Sequence, residues 1–376
     1  MRPQLLAVPV AVLLMLLALA VGVLRLLTIG GMLDGGQPPL AQAFPFHGEI
    51  MVFGFLAVLI VTERYLGSLP FRLNRIVHLM PFLVAVGAVL KVVGRLAEVD
   101  ALNAAGVALL GAGLVIYLYM LLELGRQSAR TLPFRFMALA AFFLLAGAIF
   151  SLRGAPVGNM NFTLFLLGFP ILTILGERVE LSRFLSPATY RRAEGSLLAA
   201  GIAFLLLLVG DGDYLVAIWA GLLGLATLPL LASELALIRA GEASPERLHR
   251  YLGRHLVVAY LWFFLGLALA IAFAASQDSG ALRDASSHSL AVGFVGTMIL
   301  AHAPVIAPAI FPWWRIDAQR LSLVPLGLLT VGNLLRVALD ILNISGTEKA
   351  LGISGLLVAA AVVAFAWMMA RSLKKA

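Results

Sequence analysis

The chain has 376 residues, 62% of them hydrophobic and only 12% charged, with a mean hydropathy of +1.02. A soluble globular protein carries about 25% charged and about 45–50% apolar residues, so a soluble enzyme, a disordered chain and a nucleic-acid partner are excluded, and a lipid bilayer is the expected surrounding. The net charge of +8 then reads as the positive-inside bias of a membrane protein, and the absence of cysteine removes disulfides, thiolate metal ligands and covalently attached haem.

A spanning helix needs about 20 mostly apolar residues, and about twelve stretches qualify. They lie near 5–27, 46–63, 76–94, 101–123, 134–152, 160–177, 196–210, 214–238, 255–275, 287–311, 321–342 and 350–370. The first is too long for a signal-peptide core, and Ala41-Gln42-Ala43 lies far beyond its end, so it is read as a retained helix. The glycine-rich stretch from Gly30 to Gly36 lacks the Lys-Ser/Thr of a phosphate cradle and is read as a loop. Turns as short as Gly210-Asp211-Gly212-Asp213 leave no room for a soluble domain, so residues 1–376 read as one transmembrane helical domain. Lys and Arg gather after the even-numbered stretches, which puts both termini in the cytoplasm. The fold class is an all-α polytopic membrane protein.

Depth then follows for the histidines. His47 opens the second stretch and His288 the tenth, both near the outer face. His78 begins the third and His255 the ninth, both near the inner face, with His249 in the basic loop before it. His302 lies fourteen residues after His288, about 21 Å deeper and within about 40° of the same helix face. Ionisable groups inside a bilayer are costly and usually functional, and imidazoles projecting from bundle helices hold haem iron. Ligation is the preferred reading for His47 and His288, and ordinary hydrogen bonding for His78 and His255. His302 is a further candidate ligand, against which Pro304 is expected to kink the helix. Gly293 and Gly296 offer either room for a flat macrocycle or close helix packing. Arg95 and Arg336 are candidate partners of haem propionates. Against that, Arg336 has Asp340 one turn on, and Lys91 and Arg95 can snorkel to the interface.

Two segments carry a family resemblance. His47-Gly48-Glu49-Ile50-Met51-Val52-Phe53-Gly54-Phe55 resembles the second-helix pattern His-x-His-Glu-Met-x-Phe-Gly-Phe of the NnrS family. His288, Leu290, Gly293, Gly296, Thr297 and Met298 match its tenth-helix pattern. Gly94-Arg95-Leu96, Gly176-x-Arg178-Val179 and Leu335-Arg336 are weaker matches in the same order. NnrS proteins are twelve-helix bacterial membrane proteins described as containing haem and copper and linked to nitric oxide metabolism. The resemblance implies a multi-pass protein of the bacterial inner membrane, haem b, and nitric oxide or a related small molecule as partner. It also implies copper, with Glu49 standing where the family has its second histidine and so a candidate substitute ligand. The second helix resembles the haem-binding His-Gly-x-x-Met-x-Phe of haem-copper oxidases too, but the chain has no His-His pair for their copper centre. The competing expectation is a twelve-helix secondary transporter without a redox cofactor, with Pro170, Pro229 and Pro304 marking helix breaks.

Overall fold

A computed structural model describes residues 6–33, 41–128, 131–152, 160–182, 186–207, 212–276, 280–311, 313–342 and 346–375. The tail of the glycine-rich loop and the first half of the 210–213 turn lie outside these. The chain divides into two compact units, Met1–Arg25 with Gln37–Glu177, and Leu26–Gly36 with Arg178–Ala376.

The first unit holds most of α1 (Ala7–Ile29), then α2 (Ala43–Ser68), α3 (Arg75–Leu96), α4 (Asp100–Gln127), α5 (Leu132–Leu152) and α6 (Met160–Ser182) as far as Glu177. The second holds α7 (Pro187–Leu206), α8 (Asp213–Ala243), α9 (Arg247–Ala275), α10 (Gly280–Pro308), α11 (Val324–Leu342) and α12 (Glu348–Ser372). It also holds two short antiparallel strands, β1 (Trp314–Ile316) and β2 (Leu373–Lys375), in which Trp314 faces Lys375. Among the described residues, 11 helices are long and apolar enough to cross a membrane. The exception is α7, whose first half carries Arg191, Arg192 and Glu194. The chain is therefore an all-α, multi-pass membrane protein.

Local sequence explains several helix ends. Asn74 caps α3 by accepting from Ile76 N at 3.0 Å. Ser186 caps α7 by accepting from Thr189 N at 3.1 Å, with Pro187 in the first turn where no N–H is needed. The α3–α4 turn closes with Val99 N donating to Gly94 O at 2.8 Å, and Glu98 takes the left-handed conformation (φ 54°) that this closure requires.

Glycines set the approach of α3 and α4. A Cβ on Gly87 would stand 2.4 Å from Leu110 N, on Gly94 2.3 Å from Asn103 N, and on Gly106 2.3 Å from Lys91 N. Gly87 and Gly94, like Gly106 and Gly113, are seven residues apart and so recur every two turns on one face. Backbones in a bilayer come this close only where side chains are missing.

The prolines do not break their helices as expected. α6 continues through Pro170, α8 through Pro229, and α10 through Pro304 to Pro308. A proline removes one hydrogen bond and crowds one carbonyl, and the helix resumes on its far side in each case.

Candidate functional site

Each unit places one of the preferred histidines at the start of an unusual helical segment. In α2, the turn His47–Glu49 passes into a π-helical stretch, Ile50–Leu56. In α10, His288 is followed directly by a π-helical stretch, Ser289–Gly296. π-helical turns are rare and cluster at functional sites. A widened turn rotates the side chains on either side of it relative to a plain α-helix, so it re-aims the histidine without ending the rod.

In the first unit, His47 Nδ1 donates to Ala18 O of α1 at 2.8 Å. Its ring fills the space beside Gly22, where a Cβ would stand 2.8 Å from Cε1. Nδ1 carries the proton, because a carbonyl can only accept, so Nε2 is the acceptor face of this imidazole. Glu49 is an ion-pair partner: its Oε2 accepts from Lys91 Nζ at 2.6 Å. Lys91 is only 2% exposed and lies over the Phe53 ring at 5.1 Å. The snorkelling expected of Lys91 is thus corrected, because the half-buried Glu49 carboxylate within reach replaces the water it would otherwise seek. Arg95 stacks over Phe46 at 5.1 Å and donates through NH2 to Ser151 O, while its buried Nε has no hydrogen-bond partner. Phe46, Glu49, Lys91 and Arg95 line a cavity of about 10 Å³, room for one water.

Deeper in the same unit, Arg64 Nε donates to Glu177 Oε1 at 2.9 Å. His78 Nδ1 is 2.7 Å from the Tyr65 hydroxyl, the ordinary hydrogen bond expected of it.

In the second unit, His288 Nδ1 donates to Asp284 O one turn back at 2.9 Å, and the Asp284 carboxylate lies 3.5 Å away. The arrangement is a histidine whose Nδ1 proton is fixed and whose Nε2 is the acceptor face. Arg336 bridges two carboxylates, Asp340 at 3.0 Å and Asp284. Its i,i+4 pairing with Asp340 is the simpler of the two readings the sequence allows, and the added Asp284 leaves the guanidinium committed to protein carboxylates. Gly293 serves packing: the Trp262 ring occupies its open side, 2.5 Å from where a Cβ would be. Gly296 meets only Leu329 and the Ala291 carbonyl, both at 3.7 Å.

Further along α10, His302 Nδ1 donates to Met298 O at 2.8 Å, and Nε2 accepts from Arg178 NH1 at 3.1 Å. Both ring nitrogens are thus in hydrogen bonds. Arg178 also grips Glu234, Nε to Oε1 at 2.9 Å and NH2 to Oε2 at 2.5 Å. Sequence reasoning names Arg178 only in the weak Gly176-x-Arg178-Val179 match and Glu234 only as lying near a helix end, and does not join them, because 56 residues separate the two. Nearby on α9, His255 donates to Tyr251 O at 2.8 Å and is fully buried, and its Nε2 has no partner. Among the described residues, no three His, Asp or Glu side chains converge as a metal site.

Fold and site together define a polytopic helical membrane protein with paired ionisable groups inside its spans. The chain belongs to the family described as a domain of unknown function (DUF8744), which it matches over residues 4–374. No curated protein sequence matches it.

Proposed function

We propose that the chain is an integral membrane haem protein, NnrS-like, of the bacterial inner membrane, acting in nitric oxide response or denitrification-linked metabolism. His47 of the first unit and His288 of the second are the candidate iron ligands, each argued from its own surroundings. The observation that supports this most is their common local geometry. Each stands just ahead of a π-helical stretch, and each has Nδ1 tied to a main-chain carbonyl. A histidine ligand is held in this way: the second nitrogen donates to a carbonyl, which fixes the tautomer and the ring direction and makes Nε2 more basic. Haem held there supplies one-electron and nitric-oxide-binding chemistry.

The surroundings support parts of this reading unequally. The unpartnered Nε of Arg95 suits an anionic group or a water, and the small cavity beside it favours the water. Arg336 is taken by Asp284 and Asp340 and is not a propionate partner in this arrangement. Copper has less support, since Glu49 is committed to Lys91. The deciding experiment is an absorption spectrum of the detergent-purified protein. A Soret band that His47→Ala or His288→Ala each largely removes supports the proposal, and a colourless protein from haem-replete cells ends it.

The second reading is a secondary transporter, favoured by the buried Arg178–Glu234 pair, since ionisable residues at membrane depth mark ion and substrate paths. A colourless protein whose proton-coupled flux in proteoliposomes falls with Glu234→Gln would establish it.

A further inference from the structure

The segment between α10 and α11 in the second unit is held in place. β1 pairs with β2 at the end of α12. Asp317 accepts from Lys374 at 2.7 Å and lies 3.2 Å from Arg320 Nε. Leu321 is buried with Tyr251 and Met368. From there the side chains alternate. Gln319, Leu321 and Leu323 face a cleft of about 290 Å³ that they share with Arg247, Arg250 and Arg254. Arg320, Ser322 and Val324 face a second cleft of about 300 Å³ shared with Trp367 and Arg371.

The second cleft is amphiphilic. Two guanidiniums stand on it. Arg320 donates to the Arg371 carbonyl at 2.7 Å, and Arg371 stacks on Trp367 at 4.6 Å. Its wall is apolar and open: Val324 is 60% and Trp367 62% exposed. Only 22% of the most apolar window of α12 is buried, so this helix shows most of its surface to lipid. The first cleft has more arginines, but of its leucines Leu321 is only 2% exposed and Leu323 is half-buried.

We propose that the Arg320–Arg371 cleft binds the phosphate headgroup of an anionic phospholipid from the basic, cytoplasm-marked side of the membrane. The phosphate lies between the two guanidiniums, taking the planar fork of Arg371 and the N–H groups of Arg320 not used on Asp317 and the Arg371 carbonyl. One acyl chain runs along Val324 and Trp367. A soluble anion satisfies the arginines and leaves that wall wet. A lipid covers both, which is why basic pockets at this depth take lipid headgroups and why aromatic rings collect there. The positive-inside bias accounts for arginines on this face, but not for a cleft that pairs them with an exposed apolar wall.

The test uses the full chain in neutral detergent, followed by thermal unfolding with added phosphatidylglycerol, phosphatidylcholine or inorganic phosphate at equal concentration. Phosphatidylglycerol is expected to raise the midpoint by about 3–6 °C and the other two by less than about 1 °C. Arg371→Gln, which breaks no ion pair, should remove most of that rise, and so should Arg320→Gln. Arg247→Gln in the neighbouring cleft should leave it intact. Equal stabilisation by phosphatidylcholine or by inorganic phosphate overturns the proposal. So does a rise that survives both cleft variants, or one that Arg247→Gln removes as fully, which would reduce the effect to general attraction by a basic face.

Discussion

Arg178 and Glu234 form a two-pronged ion pair buried inside the second unit, with Nε to Oε1 at 2.9 Å and NH2 to Oε2 at 2.5 Å, and neither side chain is more than 7% exposed. Desolvating two charges offsets much of their attraction, so the intact pair contributes little net stability, whereas one member left alone is a buried uncompensated charge. Glu234→Ala is therefore expected to destabilise the protein by about 3–5 kcal/mol. The double variant Arg178→Met with Glu234→Leu should recover most of that loss. Unfolding in mild detergent measures both. A single variant as stable as the wild type would show that water reaches the pair.

The spans were legible because a bilayer demands about 20 apolar residues each, and hydropathy registers nothing else so plainly. The boundary between the two units was not, because it falls inside α1 after Arg25 and inside α6 after Glu177, where the helix itself runs on with no linker to mark it. His47 and His288 stand out in the sequence as candidates because of their expected depth. The π-helical turns beside them were not, since a widened turn is decided by packing and leaves no distinct residue pattern. Glu49 and Lys91 lie 42 residues apart, so their pairing depends on how α2 meets α3. The strands β1 and β2 are three residues each, too short for alternation to show.

The α3–α4 hairpin should tolerate almost nothing larger than hydrogen at its contact glycines. Gly106→Val would drive a branched side chain into the Lys91 backbone, 2.3 Å from the first added carbon. Loss of folded protein on size-exclusion chromatography is expected. Gly195→Ala, with nothing within 4 Å, is the control and should be neutral or stabilising by about 0.5–1 kcal/mol, since alanine restricts the unfolded chain more than glycine. Equal behaviour of the two variants would refute the close backbone approach.

A reporter fused after Lys375 should read as cytoplasmic, and one inserted in the 210–214 turn as periplasmic. The arginine distribution predicts this, and the depths of His47 and His288 depend on it. Alkaline phosphatase and fluorescent-protein fusions give opposite readouts on the two sides. Finding both insertions on one side would reverse or remove those depths.

The tie between Asp317 and the end of α12 should fail in acid. The Lys374 hydrogen bond, with Arg320 nearby, holds the Asp317 carboxyl below its ordinary range. A carboxylate with a lowered folded-state pKa contributes stability that is present above its unfolded pKa and is lost as pH falls through the folded value. Amide exchange in Trp314–Ile316 should thus be flat from neutral to mildly acidic pH and rise only below the usual carboxylate range. In Asp317→Asn it should be fast throughout. An acid-induced rise that persists in Asp317→Asn would assign the effect to another group.

His302 is expected to be dispensable for any haem the protein holds. A plain α-helix would put it on one stripe with His288 about 21 Å deeper, the ground for a second ligand, but the π-helical stretch Ser289–Gly296 between them changes that register. Its Nδ1 is tied to a carbonyl as in the other two, but its Nε2, the nitrogen a metal would use, accepts from Arg178. Iron would have to displace a guanidinium whose other nitrogens are fixed on Glu234, and the freed Arg178 N–H would then lack its acceptor at membrane depth. His302→Ala should accordingly keep the Soret band and the haem-to-protein ratio of the wild type while lowering thermal stability, because Arg178 loses a partner. His288→Ala should do the reverse, losing haem with less effect on the Arg178–Glu234 pair. Two haems per chain, one of them lost in His302→Ala, would show that the Arg178 contact gives way to a metal.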